Sequence, residues 1–328
     1  DVLGLPAASS VEGLTASAAA LAAEQLDLLV YPQVSLGVAS RWLAGRRLAQ
    51  VQVSLIADMV TSGAGAIDYA VVGEDLVGDG EEFSEDVLVI PGLGLDIAEP
   101  PQPTVARQRP ADDRECLLAS TATAEKLSGP LLDLWNAILT ESDGRAALHF
   151  FPGLSADQAN QVADPLASHF GDRVDALLVP TADRETVIDG LVEADVFLDS
   201  YPYGGLHALV EALAAGCPVV TIEGDHLRNR VGAALLRRLE LPEFLIAKDG
   251  TEYVRAALRL IQEPNLRAEL RSRLTREAVL TALVDPDLPN HVASALELAQ
   301  RLGARTPGRR AAPRRVYDST GGERRLAV

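Results

Sequence analysis

Short apolar runs separated by stretches of helical period constrain this chain more than any other feature. The runs Leu28–Tyr31, Val51–Ile56, Tyr69–Val72, Val87–Ile90, Cys116–Ala119, Ala147–Phe151, Ala176–Val179, Val196–Asp199, Val219–Ile222 and Phe244–Ile246 have the length and composition of strands. Amphipathic stretches at 11–24, 35–46, 130–141, 155–168, 184–193, 206–215, 227–238, 250–263, 266–281 and 288–302 read as helices. Strands apolar on both faces that alternate with helices form mostly parallel sheets covered by crossover helices. The fold class is therefore α/β, doubly wound. No tandem period appears, which excludes a solenoid.

The 328 residues suggest two domains at about 150 residues each. Pro100, Pro101, Pro103 and Pro110 predict a stiff linker over 99–114. It separates residues 1–98 from 115–302, which has enough strands and crossovers for a complete doubly wound domain. Residues 1–98 read as the C-terminal portion of a similar domain. The start at Asp1, with Met59 the single methionine, suggests an excised part of a longer protein.

Charge narrows the function classes. The net charge is −18, and an acidic body argues against nucleic-acid or anionic-membrane binding. Eight arginines against Asp318 and Glu323 make residues 301–328 basic, and 303–328 reads as a disordered tail. No apolar run reaches the roughly 18–20 residues of a membrane span, and no signal peptide opens the chain. Cys116 and Cys217 make no disulfide framework, so a cytoplasmic, reducing location is expected. The His and Cys residues lack zinc spacing, Asp75–Asp86 lacks EF-hand spacing, and no Walker loop or Gly-x-Ser-x-Gly elbow occurs. No metal or cofactor is expected.

The most informative stretch runs from Ala194 to Gly224 and reads as strand, glycine-containing turn, helix, Gly-Cys-Pro stop and strand. Gly204 and Gly205 free the backbone ahead of the 206–215 helix, whose N-terminal N–H groups and dipole suit a diphosphate. Glu211, one turn in, is placed to accept from ribose hydroxyls. His207 at the helix start is a candidate phosphate donor. Gly224, Asp225 and His226 open the next turn as candidate ribose or base contacts.

The segment Glu211-Ala-Leu-Ala-Ala-Gly-Cys-Pro-Val-Val resembles the E-A-x-A-x-G-x-P-V element of GT-B glycosyltransferases. With Glu223–Val231, Leu239–Ala247, Glu252–Leu260, Arg47–Val53, Ala66–Asp75 and Glu82–Pro91, the chain resembles glycosyltransferase family 41 over about residues 26–282. That family comprises O-GlcNAc transferase and the bacterial adhesin N-glucosyltransferases, and several pieces resemble the latter branch more. The resemblance implies a GT-B fold with a nucleotide-sugar domain at 115–302 and an acceptor-side domain before it. It implies an inverting transferase moving a hexose (glucose, galactose or GlcNAc) from a UDP-sugar to an Asn or Ser/Thr side chain of a polypeptide. Lys126 matches the family lysine implied to contact the donor diphosphate and stabilise the leaving nucleotide, an electrostatic role suited to catalysis without a metal. Thr123 matches a position near the same phosphates. One departure stands out. Ala57 lies opposite a family histidine associated with acceptor chemistry, with Asp58 beside it as a replacement base. Two other readings therefore stay open: a non-catalytic nucleotide-sugar- or protein-binding relative, and a GT-B transferase acting on glycan or lipid acceptors.

Overall fold

A computed structural model describes residues 5, 10–35, 37–55, 59–78, 83–109, 115–155, 158–171, 178–181, 183–305 and 314–315. In chain order, the first described elements are α1 (Val11–Ala23), β1 (Leu28–Tyr31), α2 (Val38–Ala44), β2 (Val51–Ser54), β3 (Tyr69–Gly73) and β4 (Asp86–Ile90). Next come β5 (Cys116–Ser120), α3 (Gly129–Glu141), β6 (Ala146–Phe150), α4 (Asn160–Phe170), α5 (Arg184–Glu193), β7 (Val196–Leu198), α6 (Leu206–Ala214) and β8 (Val219–Ile222). The series closes with α7 (Val231–Arg238), β9 (Ile246–Ala247), α8 (Gly250–Gln262), α9 (Pro264–Arg273), α10 (Arg276–Leu283), α11 (Leu288–Leu302) and β10 (Arg314–Arg315). The chain divides into one unit of residues 1–96 with 285–328 and a second of 97–284.

In the first unit β1, β2, β3 and β4 pair in parallel in that order, and β10 adds to β4 as a parallel edge. Strands β2, β3 and β4 are buried at every residue, as sheets covered on both faces require. One face packs on α11, where Ala295 and Ala299 sit one turn apart and let the helix lie close to Val51, Val53, Val71 and Leu88. The other face carries Leu43, Ala44 and Ala18 from α2 and α1.

Two expectations change here. The 288–302 helix belongs with the first sheet and not with 115–302, because its small-residue face is cut to β2–β4. The tail is attached at its start: Gly303 O accepts from Tyr69 Oη at 2.8 Å, and Arg305 N donates to Asp68 at 2.9 Å. Residues 306–313 and 316–328 lie outside the described residues.

The second unit holds β6-β5-β7-β8-β9, all parallel, with Leu178 bridging Phe150 beyond β6. Residues 97–109 run along this unit and are stapled to it, so this described part of the proline-rich segment is no free spacer. Arg276 bonds Glu99 at 2.8 Å and the carbonyls of Pro100 and Pro101; Thr104 N donates to Asp189 at 2.8 Å. Arg107 pairs with buried Asp195, which also accepts from Leu117 N at 2.9 Å and lies 4.0 Å from Arg267. The expected 266–281 helix is two helices, because Thr275 leaves helical geometry and accepts from Ala278 N to cap α10. The expected 227–238 helix likewise starts as a 3₁₀ turn at Leu227–Asn229 and becomes α-helical from Val231.

Candidate functional site

From β5 the chain crosses through α3 to β6 on one side, whereas β7 pairs with β5 on the other. The carboxyl ends of β5 and β7 thus flank a topological switch point, where open α/β sheets leave a crevice for ligands. The loops after β5, β7 and β8 meet there, and with α6 they carry the donor-side candidates Thr123, Lys126, Gly204, Gly205, His207, Glu211 and Gly224–His226.

Lys126 ends a 3₁₀ turn, Ala124–Lys126, that follows β5. Its Nζ donates to Gly204 O at 3.0 Å and lies 4.9 Å from the centre of the Tyr203 ring. Burial pushes the lysine pKa down, and the negative charges of Asp199 and then Glu125 oppose that shift. Thr123 is exposed at the start of the turn, and its hydroxyl bonds Glu125. The structure therefore joins Lys126 to the glycine turn directly, while Thr123 bonds Glu125 beside it.

Asp199 is a residue the sequence reading left inside a strand. Its carboxylate lies beneath the turn, 3% exposed. Oδ1 accepts from Ser200 N at 2.8 Å and Gly205 N at 3.4 Å, and Oδ2 accepts from Thr221 Oγ1 at 2.7 Å. Desolvation pushes its pKa up to about 6 against the bond from Thr221 and the charge of Lys126. A Cβ on Gly204 would stand 3.2 Å from Oδ2 and one on Gly232 3.0 Å, so absent side chains make room for the carboxylate.

The third loop is closed by Asn229. His226 N donates to Asn229 Oδ1 at 2.9 Å, and the His226 side chain takes the matching bond from the Asn229 backbone. A side chain at Gly224 would clash with Asn229, its Cβ falling 2.4 Å from Nδ2. Gly204 N donates to Arg228 O at 3.1 Å, which ties this loop to the β7 loop. Asp225 and His226 are exposed, and the Asp225 carbonyl accepts from Arg230. His226 thus caps a turn while facing solvent.

Helix α6 begins after Gly205 with no side chain capping it, which leaves its first N–H groups for a ligand. His207, its second residue, is exposed. Glu211 Oε1 accepts two bonds from Arg184, at 2.8 Å from Nε and a second from Nη2, cross-linking α5 and α6. Arg184 carried no motif signal. His149 is half-buried in β6 edge-on to Phe151, with a pKa lowered by burial. Ala57 and Asp58 lie outside the described residues. Among the described residues no group of three His, Cys, Asp or Glu could hold a metal ion, and no helix is long and apolar enough to cross a membrane.

Two parallel α/β units, the second with a topological switch point between β5 and β7, fit the GT-B class of glycosyltransferases. Solved structures share the fold: a mutant of the Thermobaculum terrenum O-GlcNAc transferase has TM-score 0.71 and 27% identity, covering 87% of this chain and 54% of that one. The lipopolysaccharide glycosyltransferase WaaG, at TM-score 0.50 and 12% identity over 90% of this chain and 86% of its own, supports the fold alone. The family model of glycosyl transferase family 41 matches residues 122–288, half of the chain, and the chain belongs to that family. The UDP-glucose:protein N-beta-glucosyltransferase of Actinobacillus pleuropneumoniae is 26% identical over 78% of this chain and 42% of its own length. A probable UDP-N-acetylglucosamine–peptide N-acetylglucosaminyltransferase SPINDLY of Solanum lycopersicum is 26% identical over 70% of this chain and 26% of its own. The chain thus spans less than half of the curated relatives it matches.

Proposed function

We propose that the second unit binds the diphosphate of a UDP-hexose at the β5/β7 crevice, and that the protein transfers the hexose with inversion to an Asn or Ser/Thr side chain. The observation that carries this is Lys126 Nζ, held 3.0 Å from Gly204 O beside the uncapped start of α6. In the transfer, the bond from sugar C1 to the β-phosphate oxygen breaks and its electron pair leaves with UDP. The acceptor nitrogen or oxygen bonds C1 from the opposite face and gives up its proton to solvent. Charge growing on the leaving diphosphate is met by the Lys126 ammonium and the N–H groups of residues 206–208, in place of a bound cation. Gly205 brings the backbone close to the phosphates, and His207 stands at the same helix end as a further donor. Glu211 would accept a ribose hydroxyl beside its bond to Arg184. The 224–226 turn would border the nucleoside.

The relatives named above supply the donor and acceptor classes, a UDP-sugar and a polypeptide. Residues 1–96 would carry the acceptor side. The test incubates the protein with UDP-glucose, UDP-galactose or UDP-GlcNAc and peptides containing Asn-x-Ser/Thr, and reads peptide mass. A hexose or N-acetylhexosamine increment, lost in Lys126→Ala, supports the reading. UDP binding without any increment points to a non-catalytic relative, and neither binding nor transfer contradicts the proposal.

A further inference from the structure

Asp199 is buried where an ionised carboxylate is costly, yet no bond it makes requires the negative charge. Ser200 N, Gly205 N and Thr221 Oγ1 would all donate to a neutral acceptor as well. The charge does something else: it opposes the desolvation of Lys126 across the glycine turn. We propose that Asp199 is a positioning residue for donor turnover, its carboxylate shaping the 200–205 turn and compensating the Lys126 ammonium from below. This rests on the reading of the crevice as a donor diphosphate site.

The arrangement is a stack. Asp199 holds the N–H groups at both ends of the turn, Gly204 O within it takes the lysine proton donor, and Lys126 faces outward over Tyr203. Gly204 and Gly232 leave room for the carboxylate, and Tyr253 Oη fixes its backbone through a 2.9 Å bond to Asp199 O. The groups facing the pair are Glu125 on the lysine's own turn, Tyr203 on the glycine turn, Thr221 on β8 and Tyr253 on α8. His207 and His226 stand on the adjoining elements.

Removing a negative charge beside a lysine lowers its pKa. Asp199→Asn keeps the acceptor oxygen and deletes the charge. It should lower kcat at least tenfold at pH 8, move the alkaline limb of the kcat profile to lower pH, and leave Tm at or above the wild-type value. Thr221→Val removes the donor to Oδ2 while keeping the carboxylate, so it should move the acid limb upward from about pH 6 and leave the alkaline limb in place. If the protein binds UDP without turnover, the same shifts are read in the pH dependence of UDP affinity. An unmoved alkaline limb in Asp199→Asn, or a pH-independent loss that follows a fall in Tm, overturns the role of Asp199 alone. Should the wild-type protein bind no UDP at millimolar concentration, the donor-site reading fails first and this inference with it.

Discussion

At the scale of single residues, charge placement decides the chemistry. If an acidic chain of net charge −18 is to hold a diphosphate, as proposed, it needs a positive spot, and half-buried Lys126 with the start of α6 is the proposed one. Lys126→Ala should cut turnover by about 10²–10³ while the protein stays folded, the usual cost of losing one preorganised charge donor; initial rates and circular dichroism check both halves. Asp199 carries the opposite cost. Its folded pKa, about 6, lies above the unfolded value, so the folded state holds a proton that the unfolded state has already lost between about pH 4 and 6. Stability therefore falls as pH rises through that window. Asp199→Asn should be more stable than wild type by about 1–3 kcal/mol at pH 7, the gain vanishing below pH 4, as measured by urea unfolding at several pH values. The glycine turn and α6 were legible because they lie in one local pattern, whereas Lys126, 78 residues away in sequence, was legible only through the family resemblance. Asp199 was not, since its burial depends on Gly232, Thr221 and Tyr253, which only the folded sheet brings together. The Arg184–Glu211 bond escaped for the same reason.

Elements follow sequence signals where those signals are local. The strand runs were legible from continuous apolar stretches, and the β7–α6–β8 passage from its glycines and proline. Helix α11 was legible as a helix but not in its partnership, because Ala295 and Ala299 look bland until they meet the first sheet. Ala299→Leu should cost about 1–3 kcal/mol by overpacking against β2–β4, read as a lower denaturation midpoint. The staple at Asp195 gives a sharper test. Asp195→Asn takes the carboxylate from buried Arg267 and half-buried Arg107, leaving them only their backbone carbonyls, and should cost about 3–5 kcal/mol. Arg109→Ala, 3.9 Å from the same carboxylate and more exposed, should cost less. Urea unfolding of the two variants compares them directly.

At the scale of the molecule, the two units give the account a spatial prediction. A ligand held by residues 97–284 alone should protect that unit. At a UDP concentration a hundred times Kd, its unfolding free energy should rise by about 2.7 kcal/mol, seen as slowed hydrogen exchange in β5, β7 and β8. The central claim is that the crevice around Lys126 holds the donor diphosphate. Calorimetric titration of UDP into the protein and into Lys126→Ala tests it most directly. A single site per chain is expected, with an affinity at least tenfold lower in the variant. No binding heat at millimolar UDP, or equal affinity in both proteins, would contradict it.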